Sequence, residues 1–283
     1  MTDRTLTIDG VRVPQFLYGT AWKEDETERL TALALRQGFR GVDTANQRKH
    51  YHEAGVGKAI NEAIASRSVA RSDLFLQTKF TFRRGQDHRL PYDPDAPISA
   101  QVEQSIASSL QHLGTDAVDS FVLHGPTMSE GLTKADWEAW RAMEVIHEGG
   151  RARLLGVSNV NLGQLKAFCD GARVRPRFVQ NRCYAVLGWD REVRAYCAAN
   201  GIHYQGFSLL TANRQVLAHP EVARMAERHG RAASQIVFRF ALEVGMIPLT
   251  GTTDAAHMQA DLDAFNFRLD PEEVRRIEGL VTR

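Results

Sequence analysis

Residues 38–60 read GFRGVDTANQRKHYHEAGVGKAI, and the fold turns on how this stretch is parsed. A short apolar strand around Val42 ends on Asp43. A carboxylate at a buried strand end needs a partner, because an unpaired buried charge opposes folding strongly. The natural partner is a cation delivered by another strand end. Tyr51 follows eight residues after Asp43, and a helix rich in Ala, Gly, Val and Ile begins behind it. The stretch reads as strand, loop and helix, with an acid and a phenol facing one mouth.

The same grammar repeats outward in both directions. Residues 5–13 alternate around Asp9-Gly10, a two-residue hairpin signal. Residues 16–18 form a strand that runs into Gly19, Thr20 and Trp22. A helix is expected over 24–37, stopped by Gly38. Residues 74–79 end on Lys79, one of only six lysines. Strand 118–123 ends in His124-Gly125, strand 153–157 in Ser158-Asn159, and strand 178–180 in Asn181. Strand 202–206 ends in Phe207-Ser208, and strand 246–249 in Thr250-Gly251-Thr252. Helical patterns fall between them, at 54–66, 99–113, 134–148, after Asn161, and at 190–199. Further patterns lie at 220–229, 233–244, 254–262 and 271–282.

Eight strand-then-helix units without a composition shift imply parallel strands in one (β/α)8 TIM barrel, a single domain over 1–283 with the hairpin sealing its bottom. A doubly wound sheet is the alternative, and it wants a glycine fingerprint after its first strand. The nearest match, Gly55-Val56-Gly57, follows polar residues and lacks the third glycine, so helix packing explains it better. The segment TFRRGQDHRLPYDPDAP, residues 81–97, has three prolines and no periodicity, and is expected to be a functional or mobile loop. Arg83, Arg84 and His88 within it either meet an anionic substrate or are simply solvated.

Composition narrows the function classes. The chain has 283 residues, 43% hydrophobic and 24% charged, with a net charge of +1. That balance argues against nucleic acid or a membrane surface as partner. No apolar run approaches the roughly 20 residues of a membrane span, and MTDRTLTIDG does not read as a secretory leader. Cys169, Cys183 and Cys197 form no CxxC pair, which argues against a metal site or disulfide frame and for a reducing, cytoplasmic setting.

In a barrel all strand C-termini open on one face, so Asp43, Lys79 and His124 are expected at one rim with Tyr51 above them. Singly, each has a structural explanation: an ion pair, a loop histidine, a helix-start aromatic. Together they suit carbonyl reduction. A carbonyl that gains a hydride develops negative charge on oxygen and needs a proton, which a phenol can give if an ammonium makes it acidic. Lys79 fits that role, Asp43 would orient it, and His124 would hydrogen-bond the carbonyl oxygen. None of the four carries a hydride, so a cofactor must. A barrel lyase using Lys79 as a Schiff base is the competing chemistry.

The runs GFRGVDTA, VGKAI, QTKF, VDSFVLHGP, GVSN and GIHYQGFSLL, in this order over nearly the whole chain, resemble the aldo-keto reductase superfamily. The resemblance implies a nicotinamide cofactor bound without a Rossmann fingerprint, NADPH with NADH as the alternative. It implies a catalytic tetrad of Asp43, Tyr51, Lys79 and His124, Tyr51 being the general acid. Ser158, Asn159 and Asn181 would bind the nicotinamide amide, with Gln180 as rival to Asn181. Phe207 would stack beneath the ring. Ser208 and Leu210 would follow the pyrophosphate, Gly19 and Thr20 would line the groove, and Thr250, Gly251, Thr252, His257 and Asp261 would sit at the adenosine end. Trp22 and Gly125 would join Tyr51 and His124 around a small-molecule carbonyl substrate in a monomeric enzyme. A cofactor-binding regulatory barrel without turnover is the alternative. The chain departs from the family in its eight-residue Asp-to-Tyr spacing, in Gly125 where an aromatic is common, and in lacking the usual cationic clamp for a 2′-phosphate. The family's C-terminal substrate loop is expected to be short here, with residues 81–97 covering the pocket instead.

Overall fold

The computed structural model describes residues 4–281. Eight parallel strands close into a barrel: β3 (Leu17–Gly19), β4 (Gly41–Asp43), β5 (Phe75–Phe80), β6 (Val118–Leu123), β7 (Ala152–Ser158), β8 (Phe178–Arg182), β9 (His203–Phe207) and β10 (Met246–Thr250). Each strand pairs with its sequence neighbour, and β10 closes on β3. The expected (β/α)8 architecture is therefore present. β1 (Thr5–Ile8) and β2 (Val11–Pro14) form an antiparallel hairpin, with Asp9 and Gly10 both at positive φ as a tight primed turn requires. Its Ile8, Val11 and Val13 pack against Leu17, Phe75, Leu154, Phe178, Ile247 and Leu249, which closes the barrel floor with hydrocarbon.

The helices form the outer layer. They are α1 (Thr27–Gln37), α2 (Glu53–Ala65), α3 (Ile98–Leu113), α4 (Lys134–Glu148), α5 (Leu162–Gly171) and α6 (Arg191–Ala199), then α7 (Arg214–Leu217), α8 (Pro220–His229), α9 (Ala233–Glu243), α10 (Ala255–Leu262) and α11 (Pro271–Gly279). Boundaries follow the residues that end them. Gly38 takes φ 107° and accepts the left-handed stop of α1. Thr133 with Asp136, and Asn161 with Gln164, make reciprocal caps for α4 and α5. The sequence pattern missed α7, a single turn without room for a periodicity. Among the described residues no helix is long and apolar enough to cross a membrane.

The glycine at 57 has a packing role. A methyl group there would collide with the backbone carbonyl of His112, because α2 and α3 meet at that point. Replacement by valine forces the two helices apart. Gly57→Val is expected to destabilise the fold by about 2 kcal/mol or more, read as a lower midpoint in chemical denaturation with unchanged slope.

Candidate active site

Asp43 ends the three-residue β4 and Lys79 lies next to the end of β5, both with side chains turned into the barrel mouth. Lys79 Nζ donates to both carboxylate oxygens of Asp43 at 2.7 Å and to the carbonyl of Thr44 at 2.8 Å. The Lys79 side chain is 0% exposed and that of Asp43 4%. All three N–H groups of the ammonium are thus committed inside the protein.

After Asp43 the chain folds back on itself. The amides of His50 and Tyr51 both donate to the carbonyl of Gln47, a tight turn that absorbs the long Asp-to-Tyr spacing. The loop is anchored by Asn46 to Ser105 and by Gln47 to Gly85, both to backbone carbonyls. Tyr51 thereby returns over the ion pair, with its ring centroid 5.2 Å from Lys79 Nζ and 6.0 Å from the His124 ring, edge-on. The structure brings Asp43, Tyr51, Lys79 and His124 together.

His124 Nδ1 lies 2.7 Å from the Thr81 hydroxyl, and its carbonyl accepts from Asn159. Burial, then the Lys79 charge and His50, push the imidazole down to about 3, so it is neutral at ordinary pH. The same burial lowers the Lys79 ammonium, opposed by Asp43 and Glu53. Burial, reinforced by the Asp43 charge, raises the Tyr51 phenol. The Lys79 protons go to Asp43 and Thr44, so lysine acts on the phenol only through its charge, 5.2 Å from the ring centroid, against the desolvation of burial.

Three residues that sequence reasoning passed over belong to this rim. Glu53, buried in the first turn of α2, accepts from the Thr78 hydroxyl and faces His112 Nδ1 at 3.2 Å. His50 stacks under the exposed Trp22 with ring centroids 3.8 Å apart. Lys23, buried, donates to the carbonyl of Gly251. His50 and Glu53 lie within two positions of Tyr51, and Lys23 follows Trp22, the one signal in the sequence that pointed to them.

Three comparisons with known proteins bear on the chain as a whole. The sequence model described as "Aldo/keto reductase family" matches residues 16–282. The chain belongs to the aldo/keto reductase family. It is 30% identical over 274 residues to an uncharacterized oxidoreductase, YtbE, of Bacillus subtilis, covering 96% of this chain and 90% of that one. It is 28% identical to a glyoxal reductase of the same organism, covering 96% and 90%. A crystal structure of an aldo/keto reductase from Brucella melitensis superposes with a TM-score of 0.81 at 28% identity, covering 98% of both chains. Membership supports oxidoreductase chemistry on carbonyl compounds with a nicotinamide cofactor.

The remaining family positions are placed as follows. Ser158 is buried and donates to the Gln180 carbonyl, while Asn159 is exposed at φ 55°. Asn181 is turned away from the barrel mouth: its amide bonds the backbone of Val160 in both senses and also Asp190. Gln180 is the residue whose amide enters the barrel, donating to Asp43 at 3.0 Å. Phe207, the last residue of β9, and Ser208 and Leu210 after it are half-buried, and Arg182 donates to the Ser208 hydroxyl. Thr20 bonds the Asp43 carbonyl through both its amide and its hydroxyl, and Gly19 is half-buried beside it. Thr252 accepts from Tyr18 through its carbonyl. His257 is exposed on α10, whose first turn is already capped by the Asp254 carboxylate. Gly125 has room for a side chain in ordinary contact with Asn159.

The loop over 81–97 is pinned. Arg84 donates to the carbonyls of Pro126 and Thr127, and Tyr92 bonds the Thr81 carbonyl while stacking near Phe80. Arg84 therefore serves to hold the loop.

Asp261, on α10 and hydrogen-bonded by Thr250, offers a pH test. Burial pushes its carboxyl up to about 6, against a hydrogen bond from Thr250. A carboxyl raised by folding contributes stability at low pH that is lost as pH rises through its folded pKa. Asp261→Asn keeps an acceptor and removes the charge. It is expected to raise the melting temperature at pH 8 and to leave it unchanged at pH 4.

Proposed function

We propose that the chain is an NAD(P)H-dependent carbonyl reductase in which Tyr51 is the general acid. The observation that carries this reading is the convergence of the Tyr51 ring, the Lys79–Asp43 pair and the neutral His124 at one rim. The residues around that rim fit a dinucleotide. They offer the exposed Asn159 with its amide nitrogen held by His124 and Ser158, an aromatic face at Phe207, a hydroxyl at Ser208 and a part-buried ammonium at Lys23 beside Gly251. When bound, the nicotinamide supplies the hydride.

The protein supplies position and proton. Asn159 and Gln180 hold the nicotinamide amide, Ser158 orienting the turn, and Gln180 replaces Asn181 in this role. Phe207 supports the ring. Gly19, Thr20, Ser208, Leu210 and Lys23 follow the pyrophosphate; Thr250, Gly251, Thr252, His257 and Asp261 face the adenosine. The neutral His124 donates a hydrogen bond to the carbonyl oxygen and polarises it. Tyr51 holds its proton until charge builds on that oxygen, then transfers it. A phenol with raised proton affinity is not ionised prematurely, and a developing alkoxide is basic enough to take its proton. The buried Lys79 charge stabilises the phenolate left behind.

The family resemblance favours NADPH, with NADH as the alternative, and the chain's own residues weaken that preference. No Lys or Arg lies in the segment over 249–261, and Asp254 already occupies the helix start where a 2′-phosphate would bind. The two nucleotides are therefore expected to bind within roughly ten-fold of each other, a difference of about 1.4 kcal/mol. The side chains expected to border an aldehyde or ketone substrate are Trp22, His50, Tyr51 and His124, with Gly125 leaving room beside the last.

Tyr51→Phe is expected to lower carbonyl reduction by at least about a hundred-fold, the range of general acid catalysis, while cofactor binding, followed by fluorescence quenching, stays the same. Retained turnover would refute the acid assignment. Tight cofactor binding by the parent protein without reduction across aldehydes, ketones, sugars and dicarbonyls would favour a regulatory barrel. Borohydride trapping of substrate on Lys79 would favour the Schiff-base alternative.

A further inference from the structure

Beneath Asp43 the barrel carries three buried amides where a TIM barrel usually carries branched hydrocarbon. Gln77 on β5, Gln180 on β8 and Gln205 on β9 are at most 3% exposed. They form one connected set. Gln77 Nε2 donates to Asp43 Oδ1 at 2.7 Å and to Gln205 Oε1 at 2.7 Å. Gln205 Nε2 returns a bond to Gln77 Oε1 at 3.0 Å, which makes a reciprocal amide pair across the barrel. Gln180 Nε2 donates to Asp43 Oδ1 at 3.0 Å and to Gln205 Oε1 at 2.9 Å. Asp43 Oδ1 thus accepts from Gln77, Gln180 and Lys79, while Oδ2 accepts from Lys79.

Satisfying the buried carboxylate accounts for the donors to Asp43, but not for extending the network to Gln205, where packed hydrocarbon would fill the layer with less desolvation. Two of the bonds converge on one atom, Asp43 Oδ1. A carboxylate held by two amides on one side cannot rotate, and both its oxygens stay turned to Lys79. We propose that Gln77 and Gln205 are positioning residues, which with Gln180 lock the Asp43 carboxylate so that both its oxygens hold the Lys79 ammonium beneath Tyr51. This rests on the reductase reading of the rim for its catalytic consequence, but not for the geometry.

The charged and titratable groups around Lys79 are Asp43 from β4, Glu53 from α2, Tyr51 from the loop before α2 and His124 after β6. Burial pulls the ammonium towards neutrality, and Asp43 is the first of the groups that oppose it. A carboxylate free to turn opposes it less. The lysine then loses its proton at lower pH, and the charge that stabilises the phenolate goes with it.

The six lysines make this measurable in the full chain. With 13Cε-labelled lysine the protein gives six side-chain signals, and Lys79 is identified by elimination using Lys→Arg variants at the other five positions. Gln77→Met is expected to lower the Lys79 titration midpoint by about one pH unit, a ten-fold loss of proton affinity. The basic limb of the kcat profile should move with it, while KM and cofactor affinity stay within about two-fold. Gln205→Met, which reaches Asp43 only through Gln77 and Gln180, should shift both in the same direction. It also serves if Gln77→Met does not fold. The double variant should shift no further than Gln77→Met alone, because the two amides act as one unit. An unchanged or raised midpoint accompanied only by a lower melting temperature would overturn the proposal and leave the amides as packing. If the parent protein reduces no carbonyl, the reductase reading fails, and the lysine midpoints still decide the positioning role.

Discussion

The structure depends on an ammonium and a carboxylate held together out of water. Lys79 and Asp43 could not occupy the barrel mouth separately, because an uncompensated buried charge destabilises a fold by about 3–5 kcal/mol. Each therefore fixes the other, and the protein around them supplies every remaining hydrogen bond. Thr44 takes the third lysine proton, and Gln77 and Gln180 complete the carboxylate. The backbone of Asp43 is tied by Thr20 at the same time. The rim is rigid because its charges leave no alternative.

From this pair the barrel interior grades downward from polar to apolar. The charged layer rests on the amides, and the amide layer rests on Leu17, Phe75, Leu154, Phe178, Ile247 and Leu249, closed from below by the hairpin. The floor supplies the hydrophobic driving force that the polar mouth cannot. The gradient divides stability and chemistry between the two ends of one barrel, as the fold commonly does. The loops complete the division. Those over 44–52 and 81–97 are stitched to each other by side-chain-to-backbone bonds from Gln47 and Gln86, so the walls of the mouth hold their shape without regular structure.

Electrostatics at the mouth follow from burial more than from neighbouring charge. His124 is driven to its neutral form and the Tyr51 phenol upward, and in both cases desolvation is the largest cause. The Lys79 protons face Asp43 and Thr44, so the lysine favours the phenolate through its charge near the Tyr51 ring, in opposition to the desolvation. Protonated phenol and neutral imidazole suit a site that waits for charge to form on a substrate oxygen and then answers it.

The sequence by itself determined the strand–helix alternation, the hairpin at Asp9-Gly10 and the set of polar residues at the strand ends. These are local signals: hydrophobic period, turn chemistry, and a carboxylate, a lysine and a histidine each closing an apolar run. It also left the family resemblance legible, because the motifs stand in order along the chain. Only the tertiary structure decided which neighbour of a pair points inward. Adjacent strand residues face opposite sides, so Gln180 enters the barrel and Asn181 ties the outer loops, a choice that depends on register and not on composition. It likewise decided that Tyr51 returns over Lys79 through the turn at Gln47, and that Gln77 meets Gln205 although 128 positions separate them. Contacts across a closed barrel join residues from distant strands, and no local pattern in the chain encodes their meeting.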